Sequence, residues 1–168
     1  MGLDMYLSRV DRKMIPYLAL NLQVIKENEP EKYKELSPYI KYRGNPGVFV
    51  WESLLEEVGY WRKANHIHNW FVENVQGGKD DCKSYEVSEE QLTRLLETCK
   101  KVVTACELIP GRVTNGYFYR NGVRTPIYED GLVIKDASVA RKLLPTCSGF
   151  FFGSTEYDVY YLKNIEYT

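Results

Sequence analysis

Leu3, Met5 and Leu7 alternate with Asp4, Tyr6 and Ser8, the period of a half-buried strand, so a strand is expected almost from the first residue. Pro16 suits a first helical position and predicts a helix running to about Lys26. The polar stretch from Glu29 to Lys41, broken by Pro30 and Pro38, reads as short helical turns. Gly44-Asn45-Pro46-Gly47 marks a loop, and Val48-Phe49-Val50-Trp51 is either a short strand or a run into the helix that follows. From Lys63 to Val75 the spacing of Ala64, Ile67, Trp70, Phe71 and Val75 makes one apolar stripe, which predicts a helix stopped by Gly77-Gly78. Ser84 to Val87 reads as a short strand.

Ser88 followed by Gln91 is a capping-box signature and opens a helix over 89–108. Its buried face carries Leu92, Leu95, Leu96, Cys99, Val102, Val103 and Cys106, with Pro110-Gly111 as the stop. Asn115-Gly116, Asn121-Gly122 and Asp130-Gly131 are hairpin-turn dipeptides between β-prone runs. They predict an excursion of one or two hairpins over 112–135. Asp136 caps a short helix to Leu144, Pro145 closes it, Gly149-Phe150-Phe151-Phe152-Gly153 reads as a buried strand, and Ser154-Thr155 with Asp158 starts a terminal helix. With no repeat and no linker, the expected fold is a single α+β domain over 1–168. Its small sheet pairs the first strand with the Phe150–Phe152 strand, packed by the helices at 63–75 and 89–108.

Composition changes this picture in one respect. The hydrophobic fraction of 44% and the charged fraction of 27% are ordinary, but fourteen tyrosines stand against six Phe and three Trp. Tyrosine serves equally as core filler and as a wet contact surface. A net charge of −1 argues against a nucleic-acid binder working by phosphate neutralisation, leaving small molecules and proteins as partners. The four cysteines show no Cys-x-x-Cys pair and no zinc spacing, so no metal or cofactor is expected, and Cys99 and Cys106 read as reduced core residues. No signal peptide, transmembrane span or myristoylation signal is recognised, which makes the cytosol the expected compartment.

The chemistry concentrates in Tyr60-Trp61-Arg62-Lys63-Ala64-Asn65-His66-Ile67-His68-Asn69-Trp70-Phe71, which holds both histidines of the chain. Aromatic faces, fixed cations and near-neutral titrating groups together suit a planar, negatively charged ligand. His66 and His68 fall about 200° apart on a helical wheel and cannot ligate one metal from a helix. Arg62 and Lys63 oppose the positive end of a helix dipole, a placement eased by a bound anion; the competing reading is that both are solvated. Ser154-Thr155, between Gly153 and a helix start, offers N–H and hydroxyl donors, although a plain capped helix explains them equally. No Gly-x-Ser-x-Gly or His-Glu-x-x-His occurs, so no catalytic residue is assigned. The candidate ligand-binding set is Tyr60, Trp61, Arg62, Lys63, His66, Ser154 and Thr155. Two rival readings stand beside it: a protein–protein inhibitor using the tyrosine-rich surface, and a metal-dependent hydrolase or phosphotransferase built on Asp4, His66 or Asp81. Tyr117, Phe118, Tyr119, Ile127 and Tyr128 are many large groups for a solvated hairpin, so self-association through 112–135 is expected unless they fold back onto the body.

The opening Met1-Gly2-Leu3-Asp4-Met5-Tyr6-Leu7, the block Val58-Gly59-Tyr60-Trp61-Arg62-Lys63-Ala64-Asn65 with His68, Trp70, Phe71, Val72, Asp81 and Cys82, and the closing Leu144-Pro145 with Gly149–Gly153 resemble a group of small phage and bacterial proteins. The likeness covers the chain apart from residues 13 to 50 and 112 to 135. Some members carry further helix beyond the Tyr167-Thr168 end, which implies a short terminus by comparison. The group brings no established reaction. What the resemblance implies is a setting: a phage accessory protein that sequesters a nucleotide-like second messenger, cyclic or ADP-ribose-derived, to counter bacterial defence from the host cytosol.

Overall fold

The alternation at the N-terminus produces the strand it predicts, β1 (Asp4–Arg9), but its partner is β4 (Glu56–Arg62). The computed structural model describes residues 3–43, 51–149 and 151–168. The Gly44–Gly47 loop, the Val48–Val50 run and Phe150 therefore lie outside the described residues. Two further two-stranded sheets pair β2 (Lys41–Arg43) with β3 (Trp51–Ser53) and β5 (Leu108–Arg120) with β6 (Val123–Ile134), both antiparallel. Six α-helices, α1 (Leu22–Asn28), α2 (Pro30–Leu36), α3 (Asn65–Asn74), α4 (Glu89–Ala105), α5 (Ser138–Leu143) and α6 (Val159–Tyr167), and two 3-10 helices, Arg12–Tyr17 and Ser37–Tyr39, complete the described elements. The fold class is α+β. No helix among the described residues is long and apolar enough to cross a membrane.

The Phe-rich segment corrects the expected sheet. Gly149 and Phe151–Gly153 form no strand; Phe151 takes a left-handed φ of 67° and Gly153 one of 92°, and two such residues so close together break an extended ladder. Ser84–Val87 is likewise irregular, not a strand. Pro16 sits inside a 3-10 turn (Arg12–Tyr17), and the helix expected from it starts only at Leu22, where Asn21 Oδ1 accepts from the amides of Gln23 and Val24. The hairpin is single. Asn121-Gly122 makes its turn, with φ of 51° and 77°, as a two-residue primed turn requires. Asn115-Gly116 is a bulge within β5, and Asp130-Gly131 lies inside β6 opposite Arg112 and Gly111.

The chain forms two compact units: residues 5–60, and residues 61–168 with the stretch up to Asp4. In the first, Met14, Leu22, Ile25, Leu36 and Leu54 make the core, with Tyr33 and Tyr39 packed against it. In the second, α4 packs on α5 and α6, and α6 on β6. The capping box at Ser88 forms as read, with the Ser88 Oγ accepting from Gln91 N at 3.1 Å and Gln91 Oε1 from Ser88 N at 2.8 Å. α4 nevertheless ends at Ala105, ahead of the predicted 108, because Leu108 already belongs to the β5 ladder. Leu95, Cys99 and Val102 are buried on it, whereas Leu96 is exposed. Cys99 is a reduced core thiol pushed up to about 11 by burial; Cys106 caps the helix half-buried.

Candidate functional site

A β-strand sends successive side chains to opposite faces, and β4 applies that rule to the most suggestive residues of the chain. Trp61 turns inward at 6% exposure and Arg62 outward. Trp61 Nε1 donates to Thr168 Oγ1 at 2.9 Å, and its ring meets Phe71 and Tyr167 at 6.1 and 6.0 Å. This indole is a core residue, not a stacking face. Tyr60, the preceding residue, belongs to the 5–60 unit, where its ring lies 5.0 Å from Tyr6. Lys63 then takes a left-handed φ of 58°, its amide donating to Leu3 O at 2.7 Å, and this single residue turns the chain from strand to helix. Arg62 and Lys63 thus precede α3 instead of occupying its first turn.

α3 begins without a side-chain cap. Its first residue, Asn65, is fully buried and faces sideways: Nδ2 donates to Phe152 O at 3.1 Å and to Ser154 O at 2.7 Å, while Oδ1 accepts from Cys147 N at 3.1 Å. That carboxamide fixes the 147–154 segment against the helix start. Gly153 permits the approach, since a Cβ there would stand 3.0 Å from Lys63 Cβ and 3.2 Å from Lys63 O.

Between these pieces and the start of α6 lies a cavity of about 290 Å³, at the low end of small-molecule sites. It brings together four residues of the predicted set, Arg62, Lys63, His66 and Ser154. Thr155 does not join them; its carbonyl accepts from Thr146 Oγ1 at 3.1 Å and its side chain is exposed. The anion geometry expected of Ser154-Thr155 is also absent, because α6 begins only at Val159, beyond Asp158. Ser154 Oγ instead accepts from Glu156 N at 3.1 Å.

The remaining wall was not foreseen from sequence: Glu156, Asp158, Tyr160, Tyr161, Lys163 and Asn164. Tyr160, Lys163 and Asn164 stand at i, i+3 and i+4 of α6, so one helical face supplies all three. That spacing, read from the Asp158 cap, was the available signal. Asp158 Oδ1 accepts from Tyr160 N and Tyr161 N at 2.9 and 3.0 Å; burial raises its pKa and these two amides oppose the shift. Glu156 is held by Thr114, whose hydroxyl donates to Oε1 at 2.5 Å and whose amide donates to Oε2 at 3.2 Å. Both carboxylates therefore have work inside the fold. Arg62, Lys63 and Lys163 supply the positive charge of the rim.

His66 is the anomaly. It is 3% exposed, its ring lies 4.3 Å from Tyr161, and its Nε2 is buried with no hydrogen-bond partner. Burial pulls its pKa down to about 4, so the imidazole is neutral near pH 7. Buried polar atoms are rarely left unpaired, and this nitrogen, though its residue lines the cavity, is itself closed to solvent. His68 goes elsewhere, with Nε2 3.0 Å from Asp80 Oδ2 and its ring edge-on to Phe152. Among the described residues no group of three or more His, Cys, Asp or Glu is placed to hold a metal ion. Comparison with known protein families, with curated proteins and with solved structures finds no match for this chain.

Proposed function

We propose that the cavity of the 61–168 unit binds a small phosphate-bearing ligand of nucleotide type and holds it without transforming it. The observation that carries this reading is the convergence of Arg62, Lys63 and Lys163 with the neutral, buried His66 on one cavity. Arginine and lysine pair with phosphate oxygens. The aromatic face is Tyr160, half-exposed on α6 with Lys163 Nζ 5.7 Å from its ring centroid, in place of the indole expected from sequence. A volume of about 290 Å³ suits one nucleotide unit, so a larger messenger would extend beyond the walls. Affinity on the order of micromolar or tighter is consistent with charge-assisted pairing plus one stacked ring. The resemblance to small phage proteins supplies the role: sequestration of a signalling nucleotide that arms a bacterial defence effector.

His66 with Glu156 and Asp158 in one cavity favours a second reading, acid–base hydrolysis. Against it, Asp158 caps α6 and Glu156 is held by Thr114. Thermal-shift and native mass-spectrometric screening against nucleotides and cyclic nucleotides, with recovery of the ligand after heat denaturation, separates the two. Intact ligand, bound at least about tenfold more weakly by Arg62→Ala and Lys163→Ala, is the expected result. Ligand recovered in altered form establishes the hydrolase instead. If no nucleotide binds and Arg62→Ala changes nothing, the proposal falls.

A further inference from the structure

The far half of the β5–β6 hairpin carries large apolar groups on both faces, and the two faces differ. Direct pairing of Phe118 with Thr125, Tyr119 with Arg124 and Arg120 with Val123 fixes which residues share a face. One face holds Tyr117, Tyr119, Arg124, Pro126 and Tyr128. Two of its rings meet cations within the ribbon, Arg124 Cζ lying 3.4 Å from the Tyr117 centroid and Arg112 Cζ 5.8 Å from that of Tyr128, while Tyr119 is 67% exposed. Their hydroxyls suit water. The opposite face holds Phe118, Val123 and Ile127, with exposures of 57%, 63% and 48%, together with Thr125, and is flanked by Arg120 toward the turn and Glu129 toward the base. Asn115 Nδ2 donates to Glu129 Oε2 at 2.6 Å and holds that carboxylate in place.

We propose that this Phe118–Val123–Ile127 face is the subunit contact of a homodimer, in which two hairpins lie antiparallel across a two-fold axis. The sequence of the face is self-complementary. An axis passing at the level of Pro126 sets Phe118 against the partner's Ile127, and Arg120 against the partner's Glu129. An isologous contact requires that reciprocity, since every pair must occur twice. A foreign partner would need no such symmetry in the ribbon. Three apolar side chains and a reciprocal pair of opposite charges make a small contact by the standard of stable interfaces. The expected product is accordingly a dimer that assembles in the micromolar range rather than an obligate one.

Sedimentation equilibrium of the full chain from about 1 to 200 μM, a range chosen to bracket such a contact, reads the mass directly. A concentration-dependent shift to twice the chain mass is expected, weakened at least about tenfold by Phe118→Asp and unchanged by Tyr119→Asp on the other face. Arg120→Glu should weaken it likewise, and the double exchange Arg120→Glu with Glu129→Arg should restore it. Far-ultraviolet circular dichroism confirms that each variant keeps its fold. A chain that stays monomeric throughout, including one whose hairpin captures a different bacterial protein, overturns the proposal. So does a dimer that dissociates with Tyr119→Asp but not with Phe118→Asp, or one that the charge exchange fails to restore.

Discussion

At the scale of single residues, His66 makes the sharpest pH prediction. An unfolded histidine takes up its proton near pH 6.5, whereas the folded chain resists until about pH 4. Between those values the unfolded state binds more protons, so stability is fully present above pH 6.5 and is lost as pH falls. The loss comes to about 3 kcal/mol by pH 4. Asp158 works the other way, because its raised pKa makes folding take up a proton in acid. Comparing chemical denaturation of the wild type with His66→Gln, which cannot titrate, isolates the histidine. If the two chains lose stability in parallel from pH 7 to 4, the neutral buried imidazole is wrong. The twelve-residue stretch from Tyr60 to Phe71 pointed to this histidine and to Arg62 and Lys63 through composition alone. It misplaced Trp61 because the strand period of Val58, Gly59, Tyr60 and Trp61 is interrupted by a glycine with no side chain to read.

Elements are joined at the site by one carboxamide. Asn65 ties α3 to a segment nearly ninety positions away through three hydrogen bonds, each to a backbone group. Asn65→Ala leaves two carbonyls and an amide without partners and should cost about 3 kcal/mol in urea denaturation. Asn65→Asp should cost more, since a carboxylate accepts from Cys147 N but repels the carbonyls of Phe152 and Ser154. Equal losses for the two variants would mean that volume, not donor chemistry, matters at this position. Such a tie is invisible in sequence, where Asn65 is one amide among many. Helix α4 lies at the opposite extreme: its cap, its first turn and most of its stripe are local features, and local features are what periodicity and capping rules read. The Gly149–Gly153 run deceived for the same reason. Three phenylalanines read as a buried strand, while Phe151 and Gly153 take left-handed φ on either side of Phe152, whose carbonyl accepts from distant Asn65.

On the scale of the whole molecule, the division into units escaped the sequence because no linker marks it. The chain leaves one unit after Asp4, the first residue of β1, and re-enters it at Trp61, the last but one of β4. That arrangement has a consequence for the order of folding. The bond from Lys63 N to Leu3 O joins residues separated by about sixty positions, and closing so long a loop from a disordered chain costs about 4 kcal/mol of entropy. If residues 5–60 fold first they bring their own ends together, as Tyr6 and Tyr60 stand 5.0 Å apart, and most of that entropy is already lost when Leu3 meets Lys63. The inner segment then acts as a folding clamp for the outer one. Leu54→Ala, which loosens the core of residues 5–60, should slow protection of the Lys63 amide severalfold in pulsed hydrogen exchange during refolding. Protection at an unchanged rate would show that the long loop closes without help from the segment inside it.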